Sequence, residues 1–239
     1  MDALLDEPRT QQPVAAPAPA PPAGRAARAG TAMYARLPWL VLGLLVAWLL
    51  SMGPGQIIPD TWLGLAGGRE VIQHGFSTTN TWTRYGSREW VNQQWGAHLV
   101  FYAAWRLGGA IGLVALNVVL ITSGLTLGLR TALRRGGSPA WTSLVLVAAL
   151  LAANTSLWDV RAQSFSVLGF GLLAWLLARD DGRLERAVFL AIPLIVLWAN
   201  LHAAVLVGGG ICGVYAVSCL LQGGRRLLPR ALGLAVGAG

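Results

Sequence analysis

The chain has 239 residues, of which 55% are hydrophobic and only 12% are charged, and its mean hydropathy is +0.57. Soluble domains carry about 25% charged residues, whereas here the apolar residues fall in runs of about 15–20, close to the length of a membrane-spanning helix. These values exclude an ordinary soluble domain and predict an all-α, multi-pass membrane protein surrounded by membrane lipids. All 18 basic residues are arginine, and with 10 acidic residues they give a net charge of +8. We attribute it to orientation in a bilayer and expect no nucleic-acid partner.

The N-terminal region divides into a Pro- and Ala-rich tail and a first apolar run. Residues 1–30 are rich in Pro and Ala and show no apolar period, which predicts a disordered cytoplasmic tail. The run that follows could be a cleaved signal peptide, but 36 residues precede it and no small-residue cleavage site comes after it. It is therefore predicted to be an uncleaved signal anchor, with a first crossing at about 37–53. This crossing opens a transmembrane module covering 31–239.

The later apolar runs predict five more crossings, at about 109–129, 139–158, 162–178, 187–199 and 203–221. The last two divide a single run, 187–221, which would be about 52 Å long as one helix and so too long for one crossing of a ~30 Å hydrocarbon core. The polar interruption between Trp198 and His202 supplies the turn. A truncated seventh crossing from Ala231 is left open.

Clusters of arginine set the predicted orientation. They occur at Arg9, Arg25, Arg28 and Arg36; Arg130, Arg134 and Arg135; Arg179, Arg183 and Arg186; and Arg225, Arg226 and Arg230. Because cytoplasmic loops are enriched in basic residues, each cluster marks the cytoplasm, and even numbers of crossings separate them. The N-terminus is then cytoplasmic. Arginine without lysine, together with abundant Gly and Ala, is typical of a GC-rich bacterial genome, so we expect the plasma (inner) membrane.

The predicted outer loop, 54–108, contains two short helices that do not cross. The first follows Pro59-Asp60 and is predicted to be amphipathic, with Trp62, Leu65 and Ile72 near one face, so that it lies on the membrane. The second apolar piece, 98–107, ends at Gly108-Gly109 and is predicted to be another interfacial helix. Pairs of glycines four residues apart, Gly124/Gly128 and Gly209/Gly213, indicate close helix packing.

The order of these motifs resembles the N-terminal module of GT-C glycosyltransferases. It comprises the signal anchor, Pro59-Asp60, a GREVIQHG helix at 68–75, WVNQQW at 90–95 and a Gly-Gly before the next crossing. Later stretches are also similar to a prokaryotic branch of that superfamily: 159–164, like its "RPQ..S", and 197–202, like its "LWANLHG". The resemblance covers about 37–222. It implies a polytopic transferase that takes a sugar from a polyprenyl-phosphate donor at the extracytoplasmic face, with a divalent metal as a candidate cofactor.

Three departures keep a second class of function open. The family usually carries two nearby acids in the first outer loop, but Asp60 has no acid closer than Glu70, and the proline of "RPQ" is Ala162 here. The sequence also ends at LGLAVGAG, where such enzymes commonly have further crossings. The alternatives are a fragment, a half completed by a partner subunit, or a non-catalytic multi-pass protein, either a degenerate relative or an assembly or transport subunit.

The resemblance implies a catalytic role for Asp60, as the base that deprotonates an acceptor hydroxyl or as a metal ligand. It implies substrate binding by Asp159, Arg161, His202, Asn200, Arg69 and Arg106, with arginine suited to phosphate by its planar fork of donors. Each candidate also has a structural interpretation. Asp60 could cap the following helix, Asp159 and Arg161 could pair to close a hairpin, and Asn200 and His202 could satisfy backbone groups at a turn.

The enzyme interpretation makes a geometric prediction. A base and an anion-binding group must reach one substrate, so Asp60, Asp159, Arg161 and His202 are expected to converge on one cavity at the outer membrane boundary. The segment from Trp82 to Trp95 is expected to roof it.

Overall fold

A computed structural model of the protein describes residues 25–76, 91–153 and 158–239, with side chains from Met33 onward. Every regular element in these ranges is helical, which confirms the predicted all-α class. The eight α-helices are α1 Arg25–Met52, α2 Pro59–His74, α3 Trp95–Arg134, α4 Pro139–Ala153, α5 Gln163–Ala178, α6 Ala191–Ala199, α7 Val205–Gly223 and α8 Leu228–Ala238. Short 3-10 helices lie at Gly53–Gln56, Arg186–Leu190 and Arg225–Leu227.

Three helical segments are long and apolar enough to cross a membrane: Met33–Gln56, Trp95–Arg134 and Val205–Gly223. Large apolar side chains on them face outward, among them Ile111, Leu206 and Leu221, as expected for contact with lipid. The other apolar helices, Pro139–Ala153, Gln163–Ala178 and Arg186–Ala199, are shorter. At 1.5 Å per residue each spans less than a ~30 Å core. The structure thus indicates a membrane protein, while six complete crossings remain a prediction.

Two predicted boundaries change. The predicted tail 1–30 ends earlier than expected, because α1 already begins at Arg25; the Ala and Arg residues that start it are good helix formers. Residues 1–24 lie outside the described ranges. In the third predicted crossing, 139–158, α4 covers Pro139–Ala153 and Trp158 is no longer helical, while residues 154–157 lie outside the described ranges.

Gly109 divides α3 at the predicted place. Its φ of 54° lies in the left-handed region, which glycine adopts without a steric penalty from Cβ. The helix therefore bends there. The predicted interfacial piece, 98–107, and the second crossing, 109–129, form the two arms of one kinked helix.

The helices run back and forth between two ends of the bundle. At the first, which we call the site end, the backbone N–H of Val160 donates to the carbonyl of Gln56 over 2.9 Å, and that of Gly96 donates to the carbonyl of Asn200 over 3.0 Å. At the second, the arginine end, the Arg135 guanidinium donates to the Ala178 carbonyl. The clusters at 130–135, 179–186 and 225–230 all lie toward this second end.

Helix packing at the predicted glycine pairs depends on one member of each pair. A Cβ on Gly124 would overlap the carbonyl oxygen of Val167, so the α3 backbone there touches α5, whereas a Cβ on Gly128 would meet nothing within 4 Å. Likewise Gly209 lies against the Ala238 carbonyl and Gly213 has open space. The spacing predicted close packing, and the structure shows it at one glycine of each pair.

The helix α2, predicted to be interfacial, packs on α3 through small residues. Gly64 and Gly68 lie against α3, where a Cβ on Gly68 would overlap the His98 carbonyl. Leu65 is buried, but Trp62 and Ile72 are exposed. The small residues decide the contact because they let the two backbones approach, and the exposed apolar side chains are left for lipid.

Candidate functional site

A cavity of about 240 Å³ lies at the site end, between α2, the start of α3, the 158–162 loop and the turn after α6. Its polar lining residues are Asp60, Gln94, His98, Arg161, Gln163 and His202. We call it the site cavity. It brings together three of the four residues that were predicted to converge: Asp60, Arg161 and His202.

Asp60 and Arg161 form an ion pair, with Nη2 of Arg161 2.6 Å from Oδ2 of Asp60. The Asp60 side chain is 55% exposed and that of Arg161 is 28% exposed, so solvent reaches the pair. Asp60 is the second residue of α2 and does not hydrogen-bond to the α2 backbone; Thr61 instead accepts the Ile58 N–H over 3.1 Å. The capping interpretation of Asp60 is therefore wrong.

A buried network holds the two halves of the pair in place. The Thr61 hydroxyl donates to the carbonyl of Val160 over 2.6 Å. The amide of Asn117 donates to Gln56 Oε1 and to the carbonyl of Trp158, both over 2.9 Å. Gln56, Thr61 and Asn117 are fully buried. Because Thr61 follows Asp60 and Val160 precedes Arg161, this network fixes the two charged residues opposite each other.

Asp159 lies beside the pair without lining the cavity. Burial raises the pKa of its carboxyl and the negative charge of Asp60 adds to that rise, whereas the positive charge of Arg161 opposes it. The hairpin pair predicted between Asp159 and Arg161 is not the one found, since Arg161 pairs with Asp60 across 101 positions of the chain.

Two buried atoms around the cavity have no hydrogen-bond partner in the described part of the chain: Nδ1 of His98 and Nε of Arg161. Buried polar atoms are bonded in the great majority of cases, because leaving one unbonded costs about 1–3 kcal/mol. Their concentration here favours a polar ligand. Burial lowers the pKa of His202 and the positive charge of Arg161 lowers it further, which favours the neutral imidazole.

The other predicted site residues lie elsewhere. Asn200 accepts the indole N–H of Trp95 over 2.8 Å and donates to the Val196 carbonyl over 2.8 Å, so it ties α3 to the turn, as its structural interpretation expected. Arg69 and Arg106 are exposed and do not line the site cavity. Of the predicted roof, residues 82–90 fall outside the described ranges.

Sequence reasoning missed three polar lining residues: Gln94, His98 and Gln163. Gln94 and His98 lie four residues apart at the start of α3, and that i, i+4 spacing puts them on one helix face. The spacing could have signalled a shared site. Gln163 lay within the "RPQ"-like stretch but was not singled out.

The cavity does not suit a divalent cation. No group of three His, Cys, Asp or Glu side chains among the described residues could hold a metal ion. Asp60 is already paired with a guanidinium, whose charge would repel a cation. No step is therefore assigned to a metal.

The arrangement as a whole can hold an anion and accept a proton. One carboxylate, one guanidinium, two imidazoles and two amides surround a space about the size of a small polar group. Comparison of the chain with protein-family models, with curated proteins and with solved structures found no match.

Proposed function

We propose that the protein is a GT-C-type glycosyltransferase, or the N-terminal module of one, that transfers a sugar from a polyprenyl-phosphate donor at the extracytoplasmic face. The observation that carries this proposal is the Asp60–Arg161 pair on the site cavity. It places a proton acceptor and an anion-binding group next to each other at one end of an apolar helical bundle. Glycosyl transfer from a phosphate needs these two groups.

In the proposed reaction, the carboxylate of Asp60 accepts the proton of an acceptor hydroxyl as its oxygen forms a bond to C1 of the sugar. The bond between C1 and the donor phosphate oxygen breaks, and its electron pair leaves with the phosphate. Arg161 uses Nη2 for Asp60, so its remaining N–H donors can bind the departing anion. Stabilising that developing charge lowers the barrier.

An apolar groove supports a lipid-linked donor. A groove of about 620 Å³ lies between α3, α4 and α5, with lining residues that include Leu125, Val145 and Val167. Val167 follows the cavity residue Gln163 by four positions on α5, a rise of about 6 Å. A donor with its phosphate in the site cavity could lay its hydrocarbon tail along this side of the bundle.

The test is a transfer assay on the full chain in liposomes, with a panel of polyprenyl-phosphate hexoses and release of polyprenyl phosphate as the readout. Asp60→Asn should lower the rate by about 10²–10⁴-fold, the usual contribution of a general base. Glu70→Gln is the matched control, because Glu70 lies on the same helix and pairs with the exposed His74. Arg161→Lys, which keeps the charge but loses the fork, is compared with Arg69→Lys.

The competing proposal is a non-catalytic membrane protein. It is favoured by the same ion pair, since a carboxylate bonded to a guanidinium can also serve as a clamp between α2 and the 158–162 loop. Absence of transfer with every donor in the panel would overturn the enzyme proposal in favour of this one. Full transfer by Asp60→Asn would instead overturn the assignment of Asp60 as the proton acceptor.

A further inference from the structure

The His202 side chain is hydrogen-bonded by residues that do not line the site cavity. The indole Nε1–H of Trp198 donates to Ser166 Oγ over 2.9 Å, and that oxygen lies 2.8 Å from Nδ1 of His202. The backbone N–H of Ala204 also reaches Nδ1, over 3.2 Å. Three groups from α5, α6 and the following turn thus determine the environment of one ring nitrogen.

The Trp198 ring that begins this chain of hydrogen bonds is itself tightly confined. A Cβ on Gly169 or on Gly208 would come within 2.7 Å of it. Phe170 packs edge-on against the ring with its centroid 4.7 Å away. The two glycines form a narrow slot between α5 and α7, and the contacts on both sides of the ring restrain the direction of its N–H.

The hydrogen bonds determine the tautomer of His202. A backbone N–H can only donate, so Nδ1 of His202 accepts and carries no proton. The Ser166 hydroxyl must then donate its own hydrogen to Nδ1 while its oxygen accepts from Trp198. A neutral imidazole with an acceptor at Nδ1 has its proton on Nε2.

Ser166 is not arranged as a nucleophile, although a serine beside a histidine invites that interpretation. Its side chain is buried and does not line the cavity. An indole N–H also occupies its oxygen, where an attacking lone pair would be needed. Its role is to position the imidazole.

The groups around His202 disfavour its charged form. Asp60 from α2, His98 from α3 and Arg161 from the 158–162 loop share the cavity with it. Asp60 is already bonded to Arg161, and the guanidinium is the charge that acts on the imidazole. A proton added to Nδ1 would also break the bond from Ala204.

We propose that His202 is a fixed, neutral hydrogen-bond donor that binds an oxygen of a phosphate ester through Nε2–H, beside Arg161, with Ser166 and Trp198 as its positioning residues. The ligand class rests on the proposed function, but the tautomer does not. His202 is then a recognition residue and not a proton acceptor. In the proposed reaction His202 binds the phosphate, and Asp60 alone accepts the proton.

The first arm of the test reads the tautomer without any ligand. The chain has three histidines, so ¹⁵N-histidine labelling of the full protein in detergent gives a spectrum that His74→Gln and His202→Gln can assign. We expect His202 to show the neutral Nε2–H pattern at pH 7. Ser166→Ala leaves only the longer Ala204 bond on Nδ1, and Trp198→Phe frees the Ser166 hydroxyl to turn, so each variant should show a share of the second tautomer. An Nδ1–H tautomer, or an imidazolium at pH 7, in the unmodified protein would overturn the proposal.

The second arm measures binding of farnesyl phosphate, with inorganic phosphate in parallel. His202→Asn keeps an acceptor near the position of Nδ1 but has no donor at that of Nε2, and should weaken farnesyl phosphate binding about tenfold or more. His202→Gln, which keeps an N–H donor, should lose less. Equal affinity of His202→Asn and the unmodified protein would overturn the recognition role.

Tighter binding of farnesyl phosphate than of inorganic phosphate identifies a lipid phosphate, and equal binding identifies free phosphate. If neither compound binds, the proposed function is contradicted, and the tautomer of His202 is then tested by the ¹⁵N spectrum alone.

Discussion

Asn117, in the middle of α3, donates a hydrogen bond of 2.9 Å to the side-chain oxygen of Gln56, a residue 61 positions earlier in the chain. Gln56 in turn donates to the Leu49 carbonyl over 2.6 Å, and Asn117 accepts from the Ser164 hydroxyl over 2.5 Å. The end of α1, the middle of α3 and the start of α5 therefore meet in one polar cluster. This cluster lies directly beneath the start of α2, which carries Asp60, and the 158–162 loop, which carries Arg161.

Removing the centre of this cluster should destabilise the protein. Asn117→Ala leaves the side-chain oxygen of Gln56 and the Trp158 carbonyl buried without these hydrogen bonds, so we expect a loss of about 2–3 kcal/mol in the free energy of unfolding. Thr122→Val, on the same helix, is the control, because the buried hydroxyl of Thr122 has no partner among the described residues. It should be neutral or stabilising. Unfolding in detergent followed by tryptophan fluorescence compares the two variants, and equal stability would show that the cluster is dispensable.

Asp159 should make stability fall as the pH rises. Its pKa is raised in the folded protein, chiefly by burial, so the folded state binds the proton more tightly than the unfolded chain does. Stability then decreases as the pH rises from about 4, the ordinary carboxyl value, through the raised one. Asp159→Asn cannot ionise and should lack this decrease, which makes it the more stable protein at neutral pH and no different below about pH 4.

The measurement for Asp159 is the melting temperature as a function of pH. Asp181→Asn is a suitable control, since that carboxylate is largely exposed and lies 3.8 Å from Arg135, an arrangement that contributes little to stability. Parallel pH profiles for the Asp159→Asn variant and the unmodified protein would contradict the assigned cause.

The sequence allowed prediction of those features that depend on local pattern. The helical class, the break at Gly109 and the turn at 198–202 follow from apolar runs and their interruptions. That Asp60 and Arg161 would share a cavity was inferred from motif order. That the two residues pair with each other was not inferred, because a pair separated by about a hundred positions depends on how the helices pack. Apolar residues occur on every face of these helices, so their pattern does not indicate which face packs inward. The sequence therefore could not show that His98 faces the cavity or that Ser166 faces His202.

The glycines of α3 provide a test of how the bundle packs. Gly124→Ala would push a methyl group into the α5 backbone at Val167 and should destabilise the protein by about 1–3 kcal/mol. Gly128→Ala has open space and should stabilise by up to about 1 kcal/mol, the helix-propensity difference between the two residues. Thermal unfolding of the two variants in the same detergent decides, and equal losses would mean that α3 and α5 do not pack as described.

The opposite ends of the bundle should face opposite sides of the membrane. The arginine end carries the basic clusters, which the positive-inside rule assigns to the cytoplasm. Single cysteines at Val91→Cys, Asp181→Cys and Ala203→Cys report on exposed positions once the two buried native cysteines, Cys212 and Cys219, are replaced by alanine. A membrane-impermeant maleimide added to intact cells should label positions 91 and 203, and position 181 only after permeabilisation. Ala203 is the decisive position, because α6 is too short to span a ~30 Å core unaided. Protection of position 203 together with labelling of 91 would show that α6 and α7 do not form a crossing pair, and labelling of 181 in intact cells would reverse the orientation.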